Sequence, residues 1–413
     1  MFLGAFGIAR ADHWPRWRGP DNNGVSKEKN LPAVFSETKN LAWKLSLPGR
    51  GSSTPAIWGD HIFLTGAEGN DLSLWCISTA GKMLWKRTVG AVVRSDIKKG
   101  EGNDASSSPS TDGKHVFCYF GPGYLACFDF AGKEIWKFNV QKRYGNFKIL
   151  HGMHITPLLH EDRLYMALLT NGGHWVIALD TKTGDEAWKV ARPTDAFSES
   201  REAYTSPCLW KNGKEMNLVV LGCDYTTGHR LSDGKEVWRL GDLNPKNSGA
   251  HRIIASPVAE GEDLIIPTCR GLVVVALKQG ASGTIKKGSP MEAWRNGTGS
   301  PDVPSPLVHD GIAYLQRENG VLICVDAKTG KQHYETERLS EGRYRSTPIF
   351  ADGKIYTIGR DSGVVTVVKA GSTFEQLARN QFKDEFTASP AVSNGRIYLR
   401  SFQTLYAISE GGK

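Results

Sequence analysis

The chain has 413 residues, 40% of them apolar and 23% charged, with a formal net charge of +8. A chain of this length can bury roughly three quarters of its unfolded surface, and no apolar run approaches the roughly 20 residues of a membrane-spanning helix. The positive charge suits anionic glycans or a membrane surface but is also ordinary for solubility; with no basic helix, dense Lys/Arg cluster or nucleic-acid motif, nucleic acid is not expected as a partner.

Residues 1–11 open with the apolar run Met1-Phe2-Leu3-Gly4-Ala5-Phe6-Gly7-Ile8 and close on Ala9-Arg10-Ala11, a small-x-small site of the kind cleaved by signal peptidase. They read as the remnant of a signal peptide, without the basic segment that normally precedes one, and predict a periplasmic or otherwise exported protein. Residues 12–39 form an N-terminal extension containing Trp14-Pro15-Arg16-Trp17-Arg18-Gly19-Pro20. Next comes Leu41-Ala42-Trp43-Lys44-Leu45, a strand pattern with no partner strand before it.

From there the chain repeats. A Ser-Pro or Thr-Pro pair recurs in register at Thr54-Pro55, Ser108-Pro109, Thr156-Pro157, Ser206-Pro207, Ser256-Pro257, Ser305-Pro306, Thr347-Pro348 and Ser389-Pro390, with steps of 42 to 54 residues. Two more, Ser289-Pro290 and Ser300-Pro301, fall out of register and read as loop prolines. Most in-register pairs open a short apolar run, a polar turn and a second apolar run. A third strand follows, then a turn, usually with Gly, and about ten residues on, usually, a Trp. The copies end at Trp85, Trp136, Trp188, Trp238 and Trp294, and two weaker ones put Tyr334 and Leu377 at the equivalent place. Glycine supplies the positive φ that such hairpin turns demand, and each Trp offers a large flat surface for packing between sheets. Strands such as Val273-Val274-Val275-Ala276-Leu277 are apolar on both faces, as in a sheet covered on both sides.

Each unit is therefore four antiparallel strands, and eight such units arranged radially make an all-β, eight-bladed propeller over residues 40–413. The last unit stops after its third strand, Leu405-Tyr406-Ala407-Ile408, and the orphan strand around Trp43 is expected to complete it and close the ring. A monomer is expected.

The seven Cys are odd in number, so at least one is unpaired within the chain. Cys76, Cys118, Cys127 and Cys324 lie in strand patterns, where Cys acts as a small apolar residue. Cys118 and Cys127 flank Gly121-Pro122-Gly123-Tyr124 symmetrically, which leaves open a disulfide across that hairpin. The absence of a CxxC pair leaves a zinc ribbon or thioredoxin-like site unsupported.

The run Ala178 to Trp188 matches Ala-x-Asp-x-x-Thr-Gly-x-x-x-Trp at every fixed position, and Cys324 to Tyr334 matches it except at its ends. This resembles the propeller repeat of pyrroloquinoline quinone (PQQ) proteins, a group that includes quinoprotein dehydrogenases and the BamB-like propellers of outer-membrane assembly. The Trp14 to Pro20 segment resembles the start of many exported bacterial proteins of that group. The resemblance implies the fold; a repeat that builds blades does not report chemistry. The first 75 residues contain no Cys for lipid attachment, a departure from the assembly lipoprotein. The chain also lacks the adjacent Cys pair that the resemblance to quinoprotein alcohol dehydrogenases would imply, and a C-x-x-C-H haem site.

In a propeller, the loops that enter the innermost strands gather around one mouth of the central channel. Here those loops carry Arg50, Asp104, His151, His154, Glu202, Tyr204, His251, Arg252, Asp302, Arg345 and Glu385. This mixed polar set suits a polar or anionic small molecule or a peptide loop. His151, His154 and His251 could supply metal ligands, but no carboxylate or Cys stands at a diagnostic spacing. Glu202, His154 and Tyr204 are candidates for acid-base work. Paired carboxylates from Asp104, Glu202, Asp302 and Glu385 would be needed for a carbohydrate lyase or hydrolase. No nucleophile elbow or phosphate-binding loop is present. The sequence thus predicts a non-catalytic binding or protein-interaction scaffold for a protein or glycan partner, with no cofactor; the alternative is a PQQ-dependent alcohol or sugar dehydrogenase with PQQ and calcium, for which Asp104 and Asp302 are positional candidates for the catalytic Asp.

Overall fold

The computed structural model describes residues 13–93 and 102–412; the signal-peptide reading of residues 1–11 lies outside them. The repeat resolves into eight small antiparallel sheets. The third blade shows the pattern: Leu158–His160, Arg163–Thr170, Gly173–Asp180 and Glu186–Ala191, each strand paired with the next. In every blade the third and fourth strands are offset by a bulge, and where the fourth strand carries a tryptophan it sits opposite a small residue. Trp85 faces Cys76, Trp136 faces Cys127, Trp188 faces Ala178, Trp238 faces Gly228 and Trp294 faces Ala276. The bulge adds local twist, and the small partner leaves room for the indole. Three cysteines are thereby explained: Cys76, Cys127 and Cys324 occupy the position that Ala178, Gly228, Ala276 and Ala407 take in other copies.

Each indole then leaves its own blade. Nε1 of Trp85, Trp136, Trp188 and Trp294 donates to Phe130, Thr181, Leu231 and Ala327, respectively, in the turn of the following blade. The ring lies against that turn's glycine: a Cβ on Gly184, at φ +73°, would sit 2.8 Å from Trp136. The Thr-Gly turn of the repeat is thus read by the Trp of the blade before it. Trp238 is the exception. The stretch between the third and fourth strands of blade five is long enough to send Gly283–Ile285 across as a fifth, parallel strand on Glu236–Leu240. Trp238 therefore bonds Asn217 within its own blade and packs edge-on to Trp210, which donates to Glu262 of blade five instead.

The orphan strand Leu41–Ser46 pairs with Thr404–Ile408 and completes the eighth blade, with Trp43 opposite Ala407 and Trp43 Nε1 on Thr79 O of the first blade. Chain start and chain end are thus joined in one sheet. The core is a set of layers between neighbouring blades, the largest lying around this seam and including Trp14, Trp75, Phe382 and Tyr398.

Cys118 and Cys127 do not face each other. Phe117 is the residue opposite Cys127, and Cys118 lies opposite Ala126. An offset of one residue puts two side chains on opposite faces of a sheet, so the two thiols point into different interblade layers. All seven Cys are unbonded, and burial pushes the Cys127 thiol up to about 12.

The extension preceding the seam strand crosses one face of the ring and touches every blade. Trp14 pairs with Ile57 of blade one, and Pro15 O accepts from Thr111 N of blade two. Arg16 reaches Leu159 O, Asn22 reaches Pro207 O, and Arg18 donates to Pro257 O at 3.0 Å and Pro306 O at 2.8 Å. Ser26 N bonds Phe350 O, and Glu28 accepts the amides of Asn394 and Gly395. This segment plugs one end of the central channel.

Candidate functional site

The Ser/Thr-Pro pairs that mark the repeat line the channel axis. Proline fits there because the innermost strand has a free edge and its missing N–H costs no ladder bond, and it holds the preceding residue extended. The Ser or Thr hydroxyl then accepts the backbone N–H of its counterpart one blade back. Thr54 N bonds Ser108 Oγ, Ser108 N bonds Thr156 Oγ1, Thr156 N bonds Ser206 Oγ and Ser206 N bonds Ser256 Oγ. Ser256 N bonds Ser305 Oγ, Ser305 N bonds Thr347 Oγ1, Thr347 N bonds Ser389 Oγ, and Ser389 N returns to Thr54 Oγ1. The distances run between 2.9 and 3.2 Å. The eight links close on themselves, which gives a physical reason for a hydroxyl residue before every in-register proline.

Above this ring, on the face opposite the plug, opens a cavity of about 390 Å³. All eight ring residues line it, and Trp17 of the extension reaches it from the plugged end. Of the sequence candidates, His151, His154, Tyr204, Arg252, Asp302 and Arg345 line it. Their loops come from different blades, so the closed ring alone brings them together.

Two polar groups organise the wall. In the first, Tyr204 donates to Glu202 Oε2 at 2.9 Å, and Glu202 also accepts Leu150 N and Asn171 Nδ2. Burial, reinforced by Glu202, drives the Tyr204 phenol far above its usual range, so it is a fixed donor rather than a base. The His151 ring tilts against Tyr204, its Nε2 lies 3.6 Å from Glu199, and Glu199 also takes Arg252 Nη1 at 3.1 Å. His154 sits between Ser106 Oγ at 3.1 Å and His151 O at 2.7 Å. In the second group, Arg270 binds Asp302 through Nε, at 3.0 Å, and Nη2, and Glu318 lies 3.2 Å from Nε. The hydrogen bonds to Asp302 lift the Arg270 guanidinium above its usual value.

The remaining candidates lie off the cavity. Glu202 stands behind Tyr204. Asp104 is buried and caps Val93 N, and His251 is buried against Asp224 at 3.0 Å. Arg50 lies over the Phe402 ring, and Glu385 is an outer partner of Arg360 at 3.8 Å. Only Asp302 of the four candidate carboxylates lines the cavity, so no pair from that set meets there. Among the described residues no group of three or more His, Cys, Asp or Glu is placed to hold a metal.

Arg270 and Trp17 were not among the sequence candidates. Arg270 lies between the second and third strands of blade five, and in an antiparallel blade that turn emerges on the same face as the loop entering the first strand. That rule was available from the strand pattern. Trp17 gave no such signal, because the path of a non-repeating extension is not encoded in the repeat.

The comparisons with known proteins agree with this architecture. The family described as outer membrane protein assembly factor BamB matches over residues 76–207, 121–284 and 229–413. Among solved structures, BamB from Moraxella catarrhalis is similar at 14% identity and TM-score 0.63, over 89% of this chain and 99% of that one. A quinohemoprotein alcohol dehydrogenase from Comamonas testosteroni is similar at 13% identity and TM-score 0.68, over 97% and 81%. A europium-containing methanol dehydrogenase is similar at 12% identity and TM-score 0.69, over 94% and 89%. At these identities the structural likeness shows the fold, and no curated protein matches the sequence. The chain belongs to the BamB-like family of PQQ-type β-propellers.

Proposed function

We propose that this is an exported binding propeller, without catalysis of its own, whose contact surface is the channel mouth and its cavity. The observation that carries the reading is the state of the wall. Tyr204, Arg252, Arg270 and Asp302 are already held by neighbouring side chains, as a preorganised recognition surface requires. Tyr204 has a carboxylate beside it in Glu202, but burial and that negative charge hold the phenol protonated, which makes it a hydrogen-bond donor and not a nucleophile. The family description of an assembly factor supports a protein partner; a glycan is equally compatible with the polar wall.

The dehydrogenase alternative requires a calcium-bound quinone, and the lining residues do not fit that group. Calcium takes about six to eight oxygen ligands, usually several of them carboxylates. Among the described residues the cavity offers one carboxylate, Asp302, and its Oδ2 is held by Arg270. No adjacent Cys pair is available to cover a quinone ring. Titrating the mature protein with PQQ and Ca²⁺ by calorimetry is the direct test. No heat is expected, and stoichiometric binding with a raised melting temperature would overturn the reading in favour of the dehydrogenase. A photo-crosslinker at position 345 should capture the partner in the exporting cell, whereas one at the exposed Lys82 should not; capture only at Lys82 would move the contact surface elsewhere.

A further inference from the structure

The cavity has a floor, a wall and a charge, and together they select among ligands. Its far end is closed by the extension, with Trp17 there, so a through-going peptide has no exit. Eight ring hydroxyls line it, each already accepting one backbone N–H. Each therefore retains a proton to donate and a remaining lone pair. A wall of groups that both donate and accept is matched by a ligand whose own groups do both, which is the chemistry of a polyol. An aromatic floor suits the C–H face of a sugar ring.

Among the described residues the lining charge is positive: Arg252, Arg270 and Arg345 stand with the carboxylate of Asp302, Glu199 and Glu318 temper Arg252 and Arg270 from behind, and Arg345 donates to Tyr344 O. Arg18 adds to this from beneath. It is fully buried, its guanidinium lies 5.5 Å from the Trp17 ring, and it is satisfied by two proline carbonyls. No carboxylate pairs with it among the described residues, and its Nε has no hydrogen-bond partner. Burial lowers its pKa to about 10, so it stays charged at neutral pH. A desolvated cation without a counter-charge projects its field into the cavity, where screening by water is weak.

We propose that the cavity binds a carboxylated sugar of the uronic-acid class, with a ring seated over Trp17, hydroxyls on the Ser/Thr ring and the carboxylate toward Arg345 and Arg252. This rests on the reading of the mouth as a binding surface and specifies its ligand. The volume, about 390 Å³, suits one or two sugar rings, so the terminal unit of an acidic glycan is the part recognised.

The test is calorimetry on the full chain with digalacturonate, with cellobiose as neutral control and acetate as charge-only control. Digalacturonate alone should bind, and weaken as salt is raised. Arg345→Met should weaken it at least tenfold without moving the melting temperature. Arg252→Met provides a second variant with the same expected direction. Equal binding of cellobiose and digalacturonate would overturn the acidic specificity, and a failure of both saccharides would overturn the proposal. If a Glu-rich octapeptide then binds and is lost in Arg345→Met, the binding-propeller reading survives with a different ligand. If PQQ with Ca²⁺ binds instead, both fall.

Discussion

The two ends of the central channel are built by different means. One is closed by backbone and side chains of a single non-repeating segment, residues 13–39, which touches every blade. The other stays open and is built from side chains contributed by many loops, held by one another. Between them lies the repeating wall with its closed hydroxyl ring. The contrast separates the parts that hold the fold from the mouth, to which the proposed function assigns recognition: substitutions should be costly at the plug and seam, intermediate in the wall and nearly neutral for stability at the mouth.

The largest effect tests the seam. Deleting residues 40–46 removes the fourth strand of blade eight and exposes a core edge, and should cost more than about 5 kcal/mol in urea unfolding, the range reserved for loss of core packing. A deletion variant as stable as the parent would show that the ring does not depend on its closure. Next is the plug. Arg18→Met leaves Pro257 O and Pro306 O without donors under the floor, with an expected loss of about 2–4 kcal/mol. Burial without loss of stability would mean that the cation is kept for its field alone.

The wall has a pH-dependent member. His229, in the third strand of blade four, bonds Gly234 O and Thr227 Oγ1, and burial lowers its pKa to about 4. Its neutral form is the one that fits, and the unfolded chain, with a His pKa near 6.5, takes up the proton first. Stability from this group is therefore complete above about pH 6.5 and falls as pH drops toward 4, by up to about 3 kcal/mol. Replacing His229 with Gln should flatten that limb of the stability profile; an unchanged profile would assign acid sensitivity to other groups. Smaller again is Ser256→Ala, which orphans Ser206 N in the hydroxyl ring and should cost about 1–2 kcal/mol. Arg345→Met, at the open mouth, should stay within about 0.5 kcal/mol of the parent, and a larger loss would mean the mouth is structural after all.

How much was legible follows the same division. The blades, their number and the closing strand were readable because the same apolar spacing and turn return eight times, six of them with an indole, and each copy confirms the others. The five-stranded blade was not, since Gly283–Ile285 carries no apolar period and joins a neighbour's edge only because the ring brings that edge alongside. The cysteine hairpin misled through symmetry in sequence: the turn geometry shifts the pairing by one residue, and Cys118 and Cys127 part company. At the mouth, loop membership found His151, Tyr204, Arg252 and Asp302 but could not separate them from Asp104 or His251, which turn inward to serve buried partners. Whether a loop side chain faces the axis is set by contacts within its loop, and no periodicity records those.

The pairing of Leu41–Ser46 with Thr404–Ile408 also has a temporal side. The two partners are separated by nearly the whole chain, so the ring cannot be sealed until the last strand has been made. Until then the plug has no completed floor to lie on, since its contacts reach blades one through eight. Contacts this distant in sequence form slowly, so the nascent protein spends its early life as an open arc with an unpaired edge at each end, and that interval is when a chaperone has most to hold.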